Sequence, residues 1–261
     1  MTTLAIALLA EATWARAEKP PIVQAKLVAE RPAVVPGQPL SVALVLTTPP
    51  GWHTYWRNPG AAGAATTLDW RLPEGFAAGP LRWPAPRRFV TGPIVSYGLA
   101  GETWLFDTVK VPTDLDVGDT VPLAATAEWL VCADICVPEQ ATLSLSLPVV
   151  AASARPGIDP AFAAAEERLP RPARDASFSV ADGQVTLFLP GIAGADANSA
   201  WFFPAEDGVI DDAAPQRATI ENGGLALRVP LARPVGPAPT RLTGVVVLGA
   251  RAFDIAAPPR P

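Results

Sequence analysis

Residues 128–147 read EWLVCADICVPEQATLSLSL, and this stretch decides how the chain folds around its only two cysteines, Cys132 and Cys136. Its second half, ATLSLSL, alternates apolar and polar residues, which is the period of a half-buried β-strand. Four steps along a straight strand cover about 13 Å, whereas the Cα atoms of a disulfide lie roughly 4.4–6.8 Å apart. The cysteines therefore cannot be bonded on one strand. We predict a hairpin with Ala133-Asp134-Ile135 at its tip and the cysteines facing each other.

The surrounding sequence predicts more strands of the same kind. Residues 22–150 consist of short β-type segments broken by Pro and Gly. The chain of 261 residues contains 31 Pro and 20 Gly, a content that argues against long helices. Many short strands at close spacing are typical of an antiparallel sandwich. The clearest predicted strands are residues 40–48, 103–112, 121–131 and 141–150.

A helix signal follows this region. Asp159 is a suitable N-cap, Pro160 suits the first helical position, and Pro170 ends the segment. We therefore predict a linker with one short helix over residues 151–172.

After the linker, β-type segments return. Asp182-Gly183 and Asn222-Gly223 lie between such segments and predict hairpin turns. The predicted fold class is all-β: an antiparallel sandwich over residues 18–150, the linker helix, and a second, smaller β-sandwich over residues 173–261.

The N-terminal sequence predicts export. Residues 4–10 form a short apolar run, and Ala15-Arg16-Ala17 fits the small-x-small pattern before a signal-peptidase site. The run is far shorter than the roughly 20 apolar residues that span a bilayer. Residues 1–17 are therefore predicted to be a signal peptide. They lack the positively charged region with which such a peptide begins, which indicates that the true start of the protein lies upstream. A buried N-terminal helix is the alternative.

The composition excludes several partners and ligands. Hydrophobic residues make up 49% of the chain and the formal net charge is -5, so the chain can bury a core and lacks the basic surface that nucleic acid or anionic lipid requires. We expect no nucleic-acid partner and no cofactor. A metal site is not expected either, because two thiolates need further ligands and His53 is the single histidine.

Three interpretations of the cysteine pair remain open at this point: a redox-active pair, a structural hairpin disulfide and a metal clip. A Cys-His nucleophile that uses His53 is also possible, but nothing in the sequence brings the two residues together. A closed loop of about five residues stabilises a fold by only ~2 kcal/mol in the loop-entropy model. A chain this apolar does not depend on such a contribution. The acidic neighbours Glu128, Asp134 and Glu139 disfavour a thiolate, which indicates a reductant more than an oxidant.

Five motifs in a fixed order resemble a known family. They are GWHTYWRNPG (51–60), LDWRLPEGF (68–76), WPAPRRF (83–89), GPIVSYG (92–98) and CADICVPEQ (132–140). Together they resemble the N-terminal periplasmic domain of the DsbD family of thiol:disulfide interchange proteins, in the branch called suppressor of copper sensitivity protein B. The resemblance covers residues 20–150 most closely.

The resemblance implies an immunoglobulin-like domain in the periplasm whose cysteines cycle between disulfide and dithiol. Electrons would come from a membrane-embedded thiol-redox domain, on the same or a separate chain, and pass to oxidised periplasmic proteins of thioredoxin fold. Cys136 would form the mixed disulfide and Cys132 would resolve it, so both would be catalytic. Tyr97 matches a cap tyrosine that shields the pair.

The sequence also departs from the family. Ser96 replaces a large aromatic residue before Tyr97, so the shield is expected to be thinner or to come from Trp52, Tyr55 or Trp56. Two other functions stay open: a non-catalytic immunoglobulin-like binding module with a structural disulfide, and a periplasmic copper-handling protein. Copper handling would need soft ligands beyond the pair.

Overall fold

The computed structural model describes residues 20–192, 196–232 and 239–260, so the predicted signal peptide at residues 1–17 lies outside the described residues. Over these ranges the chain is mostly β-structure, with a single α-helix, α1 (Pro160–Glu166), between the first ten strands and the rest. The strands before α1 are β1 (Gln24–Ala29), β2 (Leu40–Thr47), β3 (His53–Gly60), β4 (Thr67–Arg71), β5 (Ala77–Ala78), β6 (Arg87–Thr91), β7 (Ile94–Leu99), β8 (Glu102–Lys110), β9 (Thr120–Cys132) and β10 (Cys136–Pro148). The strands after it are β11 (Arg171–Pro172), β12 (Ser177–Ala181), β13 (Gln184–Pro190), β14 (Ala200–Pro204), β15 (Arg217–Glu221), β16 (Gly224–Pro230), β17 (Leu242–Leu248) and β18 (Arg251–Ala257).

The first ten strands form two sheets that pack face to face. One sheet has the order β1-β2-β8-β5, and the other has the order β10-β9-β3-β7-β6, with β4 also pairing with β9. Leu44 and Leu105 from the first sheet share a buried core with Leu123, Trp129 and Tyr97 from the second. The predicted antiparallel sandwich is confirmed.

The β9–β10 hairpin is the longest feature of this sandwich, with 13 residues in each strand. Along β9, every second residue from Val121 to Val131 is buried, because successive side chains of a strand point to opposite faces. That period fixes the register of the hairpin, in which Cys132 lies directly opposite Cys136. The predicted tip, Ala133-Asp134-Ile135, is confirmed.

Strands β11–β18 form two further sheets, with the orders β11-β18-β17-β14 and β12-β13-β16-β15. Their facing sides enclose a second core that includes Phe202 and Val246. The adjacent residue on each of those strands, Phe203 after Phe202 and Val245 before Val246, points the other way and joins the core of the first sandwich. One sheet therefore serves both cores. The domain boundaries near residues 150 and 173 stay a prediction.

The local signals for the helix and the turns are confirmed. The Asp159 carboxylate accepts hydrogen bonds from the first backbone N–H groups of α1, and Phe162 of this helix is fully buried against Phe106 of β8. Asp182-Gly183 and Asn222-Gly223 connect β12 to β13 and β15 to β16, and all four residues have positive φ, as a two-residue hairpin turn of this kind requires.

None of the helices within residues 20–192, 196–232 and 239–260 is both long enough and apolar enough to cross a bilayer.

Candidate redox site

The two cysteines end the paired strands β9 and β10 and are joined by a disulfide, with their Cα atoms 4.1 Å apart. The tip between them is closed by a hydrogen bond from the Ala133 N–H to the Ile135 carbonyl. The structure therefore brings the predicted pair together as expected from the hairpin.

The two sulfur-bearing residues differ in exposure. Cys132 is only 2% exposed, whereas Cys136 lies on the exposed side of the hairpin tip next to Ile135, which is 65% exposed. Thiol–disulfide exchange requires access of an attacking thiolate to one sulfur. In this geometry Cys136 is the more accessible of the two cysteines.

The Tyr55 side chain contacts the disulfide. It lies on β3, and its hydroxyl donates a hydrogen bond to Cys132 Sγ at 3.0 Å, with Cys136 Sγ 3.7 Å away. Burial raises the pKa of Tyr55 above 10.0, so the hydroxyl keeps its proton and remains a donor at neutral pH. A donor in this position would stabilise a Cys132 thiolate more than a thiol.

His53 lies beside the disulfide as well. The register of β3 against β9 places it directly opposite Cys132, and it is 8% exposed. Its imidazole stacks on Phe89 of β6 with ring centroids 3.9 Å apart and meets Tyr55 edge-on at 5.3 Å. Burial lowers the pKa of His53 below 6.5, so the ring is neutral at pH 7.

Gly98 of β7 makes room for this aromatic stack. A Cβ atom at position 98 would lie 2.9 Å from His53 Cδ2, 2.9 Å from Phe89 Cε2 and 2.7 Å from the Thr54 carbonyl oxygen. Any larger residue would push the stack away from the sheet. The final glycine of the motif GPIVSYG is thus needed for the packing of His53 and Phe89.

Tyr97 lies on the opposite face of the same sheet from this cluster. It is fully buried in the core, where its ring packs edge-on against Phe203 at 5.0 Å. Its hydroxyl donates a 2.6 Å hydrogen bond to Asp212. The shielding role of Tyr97 stays a prediction, and the aromatic contact with sulfur recorded among the described residues is that of Tyr55.

Of the other aromatic residues expected to shield the pair, Trp56 is fully buried and hydrogen-bonds the Pro84 carbonyl, so it too belongs to the inner face. Trp52 lines a surface cleft of about 410 Å³ beside the hairpin tip. Its lining residues are Pro50, Gly51, Trp52, His53, Phe89, Val90, Thr91, Ala133 and Asp134.

Sequence reasoning missed Phe89, and it considered a Cys-His pair with His53 but had no signal that places His53 opposite Cys132. Phe89 belongs to a quoted motif, WPAPRRF, and the alternation along β6 could have placed it on the face opposite Arg88. No local sequence signal connects His53 with Cys132, because the two residues are far apart in the chain. Tyr55, two residues after His53 on β3, is already 77 positions from Cys132. Only the β3–β9 register shows that the two residues lie opposite each other.

Strands β3, β6 and β7 also contact the second sandwich. The Asn58 amide donates to the carbonyls of Pro204 and Glu206 at 3.0 and 3.1 Å. The Arg88 guanidinium lies over the Trp201 ring, 3.9 Å from its centroid. The strands that carry the aromatic cluster of the redox site are therefore packed on the second sandwich from behind.

Two comparisons match these features to known proteins. A family model, "Thiol:disulfide interchange protein DsbD, N-terminal", matches residues 24–148. The crystal structure of the N-terminal periplasmic domain of ScsB from Proteus mirabilis has a TM-score of 0.64 at 19% identity, covering 94% of this chain and 96% of that chain. At this identity the likeness establishes a common fold that extends over both sandwiches.

Other matches are more remote. A protein of unknown function from Porphyromonas gingivalis W83 has a TM-score of 0.27 at 10% identity, covering 91% of this chain and 100% of that chain. Spo0M, a sporulation control protein from Bacillus subtilis, has a TM-score of 0.25 at 10% identity, covering 91% of each chain. These values support no argument, and a search of curated proteins found no match. On the evidence of the family match and the disulfide at the β9–β10 tip, residues 24–148 belong to the DsbD N-terminal family of thiol:disulfide interchange domains.

Proposed function

We propose that this protein is a periplasmic protein-disulfide reductase that relays electrons through a Cys132/Cys136 dithiol–disulfide cycle. It receives two electrons from a membrane-embedded thiol-redox domain and passes them to oxidised proteins of thioredoxin fold. The family match to residues 24–148 supports the type of chemistry. The periplasmic origin stated for the ScsB domain supports the compartment, in which disulfides persist.

The observation that carries the proposal is the unequal exposure of the two cysteines. Cys136 is exposed at the hairpin tip, while Cys132 is 2% exposed behind it. In the reduced protein, Cys136 attacks the partner's disulfide and forms the mixed disulfide. Cys132 then attacks Cys136 and releases the reduced partner. A disulfide with only a structural role gains nothing from such an arrangement.

The surface around the tip supports docking of a protein. Ile135 and Val90 are 65% and 62% exposed, and Val90 borders the cleft that also includes Asp134. Exposed apolar side chains beside a reactive group are common in interaction sites. The partner would cover these residues while its disulfide meets Cys136.

The experiment is covalent trapping with single-cysteine variants. Cys132→Ser should hold a thioredoxin-fold protein as a mixed disulfide through Cys136, because the resolving thiol of Cys132 is gone; a partner with a single active-site cysteine cannot reverse the step. Cys136→Ser should trap little, because Cys132 is buried. Trapping in equal amounts by the two variants would contradict the assigned roles.

A reduction potential separates this proposal from the binding-module alternative. A structural disulfide should lie below about -300 mV, whereas an electron relay should lie in the range of redox-active pairs, roughly -270 to -120 mV. Equilibration with glutathione or thioredoxin buffers measures this value directly. A pair that stays oxidised in every such buffer would favour the structural disulfide.

A further inference from the structure

His53 and Cys132 are cross-strand neighbours in the pairing of β3 with β9. The two residues are directly opposite on paired antiparallel strands, so their side chains lie on the same face with Cβ atoms roughly 4.5–5.5 Å apart. Among the hydrogen bonds found within the described residues, none involves the imidazole nitrogens of His53. The ring is held by stacking on Phe89 and by edge contact with Tyr55, which leaves its nitrogens uncommitted.

Cys132 needs such a group for its step in the cycle. A thiolate, not a thiol, is the nucleophile. Burial disfavours the thiolate, and Cys132 is almost completely withdrawn from water. Cys136 at the exposed tip can lose its proton to solvent, but Cys132 has little access to solvent. A neutral imidazole next to it is a suitable proton acceptor.

We infer that His53 is the proton acceptor for Cys132 when Cys132 resolves the mixed disulfide. This inference rests on the proposed function and adds a residue to its chemistry. The single histidine of the chain thereby gains a role beyond aromatic packing.

The reaction has two steps. Cys136 thiolate attacks one sulfur of the partner's disulfide, the partner's S–S bond breaks, and its other sulfur leaves as a thiolate that solvent protonates. His53 then takes the proton from Cys132 Sγ, and the Cys132 thiolate attacks Cys136 Sγ. The Cys136–partner bond breaks as the Cys132–Cys136 bond forms. The partner's second thiolate leaves with the electron pair and takes the proton from the imidazolium or from water.

Several side chains surround His53, and burial is what lowers the pKa of its imidazole. Tyr55 on the same strand donates to Cys132 Sγ. Asp134 at the tip lines the same cleft as His53. Arg87 of β6 lies opposite Gly98, which in turn lies opposite Tyr55, so Arg87 belongs to this face of the sheet. Phe89 and Trp52 contribute apolar surface and no charge.

The alternative is that His53 only fills space beneath Phe89, and His53→Phe separates the two. Phenylalanine keeps an aromatic ring against Phe89 and removes the proton acceptor. Phe89→Leu is the matched control, because it removes the stacking and keeps the imidazole. Circular dichroism checks the fold of each variant, and His53→Gln is the second variant, in case His53→Phe does not fold.

The first measurement uses one equivalent of the aromatic disulfide dithiobis(nitrobenzoate) on the reduced protein. Attack by Cys136 releases one coloured thiolate, and resolution by Cys132 releases the second. In His53→Phe the first release should keep its rate, and the second should slow by roughly 10²-fold at neutral pH. Phe89→Leu should change the second release by only a few-fold. An unchanged second release in both His53 variants would overturn the inference.

The second measurement needs no partner or reagent. In Cys136→Ser, the thiolate absorbance of Cys132 is titrated with pH, with and without His53→Phe. Loss of the imidazole should raise the pKa of Cys132, because the imidazole can no longer take its proton and pair with the thiolate as an imidazolium, and identical titrations would overturn the inference.

The two proposals fail in different ways. A protein that shows these His53 effects but does not reduce thioredoxin-fold proteins would contradict the proposed function and support the role of His53. If the His53→Phe variant reduces thioredoxin-fold proteins as well as wild type does, the proposed function is supported and the role of His53 is contradicted.

Discussion

The two tyrosines of this chain lie on opposite faces of one sheet, so the same substitution at each should separate stability from redox chemistry. Tyr97→Phe keeps the ring against Phe203 and removes only the hydroxyl that donates to Asp212. Tyr55→Phe removes only the hydroxyl that donates to Cys132 Sγ. Each variant is the control for the other.

The two substitutions should lower the free energy of unfolding by different amounts, because Tyr97 donates to a carboxylate and Tyr55 donates to a sulfur atom. A hydrogen bond to a charged group contributes about 1.5–3 kcal/mol, and Tyr97 is fully buried beside a carboxylate. We expect Tyr97→Phe to lower the free energy of unfolding by about 2 kcal/mol, which moves a urea midpoint by about 1 M at an m-value of about 2 kcal/mol/M. The disulfide sulfur that Tyr55 contacts is a weak neutral acceptor, so Tyr55→Phe should cost only about 0.5 kcal/mol.

The pH dependence of stability provides a second test of the Tyr97 hydroxyl. Burial, followed by the hydrogen bond to Asp212, raises the pKa of Tyr97 far above 10.0. The folded protein therefore keeps a proton that the unfolded chain releases above about pH 10. The resulting stability is fully present below that pH and is lost as the pH rises further. Wild type should lose stability more steeply than Tyr97→Phe between about pH 9.5 and pH 11.

Two assays are needed. Urea unfolding of the oxidised proteins, monitored by tryptophan fluorescence, measures stability. A pH titration of the Cys132 thiolate, in proteins that also carry Cys136→Ser, measures the pKa of Cys132. Tyr55→Phe should raise the pKa of Cys132 by about 0.7 units, because the lost donor favours thiolate over thiol by about 1 kcal/mol. Tyr97→Phe should leave that pKa unchanged. Equal urea midpoints for wild type and Tyr97→Phe would refute the stabilising role of the Tyr97–Asp212 contact, and a larger midpoint shift in Tyr55→Phe would reverse the assignment of the two faces.

Three further predictions concern the disulfide, His53 and the linker helix. Cys132→Ala/Cys136→Ala should remain folded at 25 °C and lose only ~2 kcal/mol in urea unfolding, since the closed loop is short; an unfolded double variant would favour a structural disulfide. Because burial lowers the pKa of His53, its contribution to stability is present above about pH 6.5 and is lost as the pH falls below that value. Thermal unfolding at about pH 7.5 and pH 5 should therefore show a smaller difference for His53→Phe than for wild type, and an equal difference would count against a buried neutral imidazole. Asp159→Ala should lower the free energy of unfolding by about 1 kcal/mol through loss of the helix cap, and an unchanged urea midpoint would show that this cap contributes nothing to stability.

The parts of the fold that could be predicted from sequence are those fixed by neighbouring residues. The alternation in ATLSLSL and the spacing of the two cysteines are sufficient for the β9–β10 hairpin, because register and tip follow from one strand period and one short loop. The Asp159 cap and the Asn222-Gly223 turn are likewise local signals. Each of these features involves only residues near one another in the chain.

The composition of the site could not be predicted in the same way. Tyr97 was singled out by a motif, but which face of the sheet it occupies depends on the pairing of β7 with β3 and β6. The approach of His53 to Cys132 depends on the pairing of β3 with β9. A motif identifies a residue, whereas long-range register decides what that residue touches.

Adjacent residues on three strands connect the redox site with the second sandwich. On β3, Tyr55 faces the disulfide while its neighbour Trp56 packs toward Phe203. On β6, Phe89 stacks on His53 while its neighbour Arg88 lies over Trp201. On β7, Gly98 makes room for the His53–Phe89 stack while its neighbour Tyr97 donates a hydrogen bond to Asp212. Because neighbouring side chains of a strand point to opposite faces, a shift of any of these strands displaces both contacts at once. The position of the aromatic cluster beside the disulfide therefore depends on the packing of the second sandwich behind it.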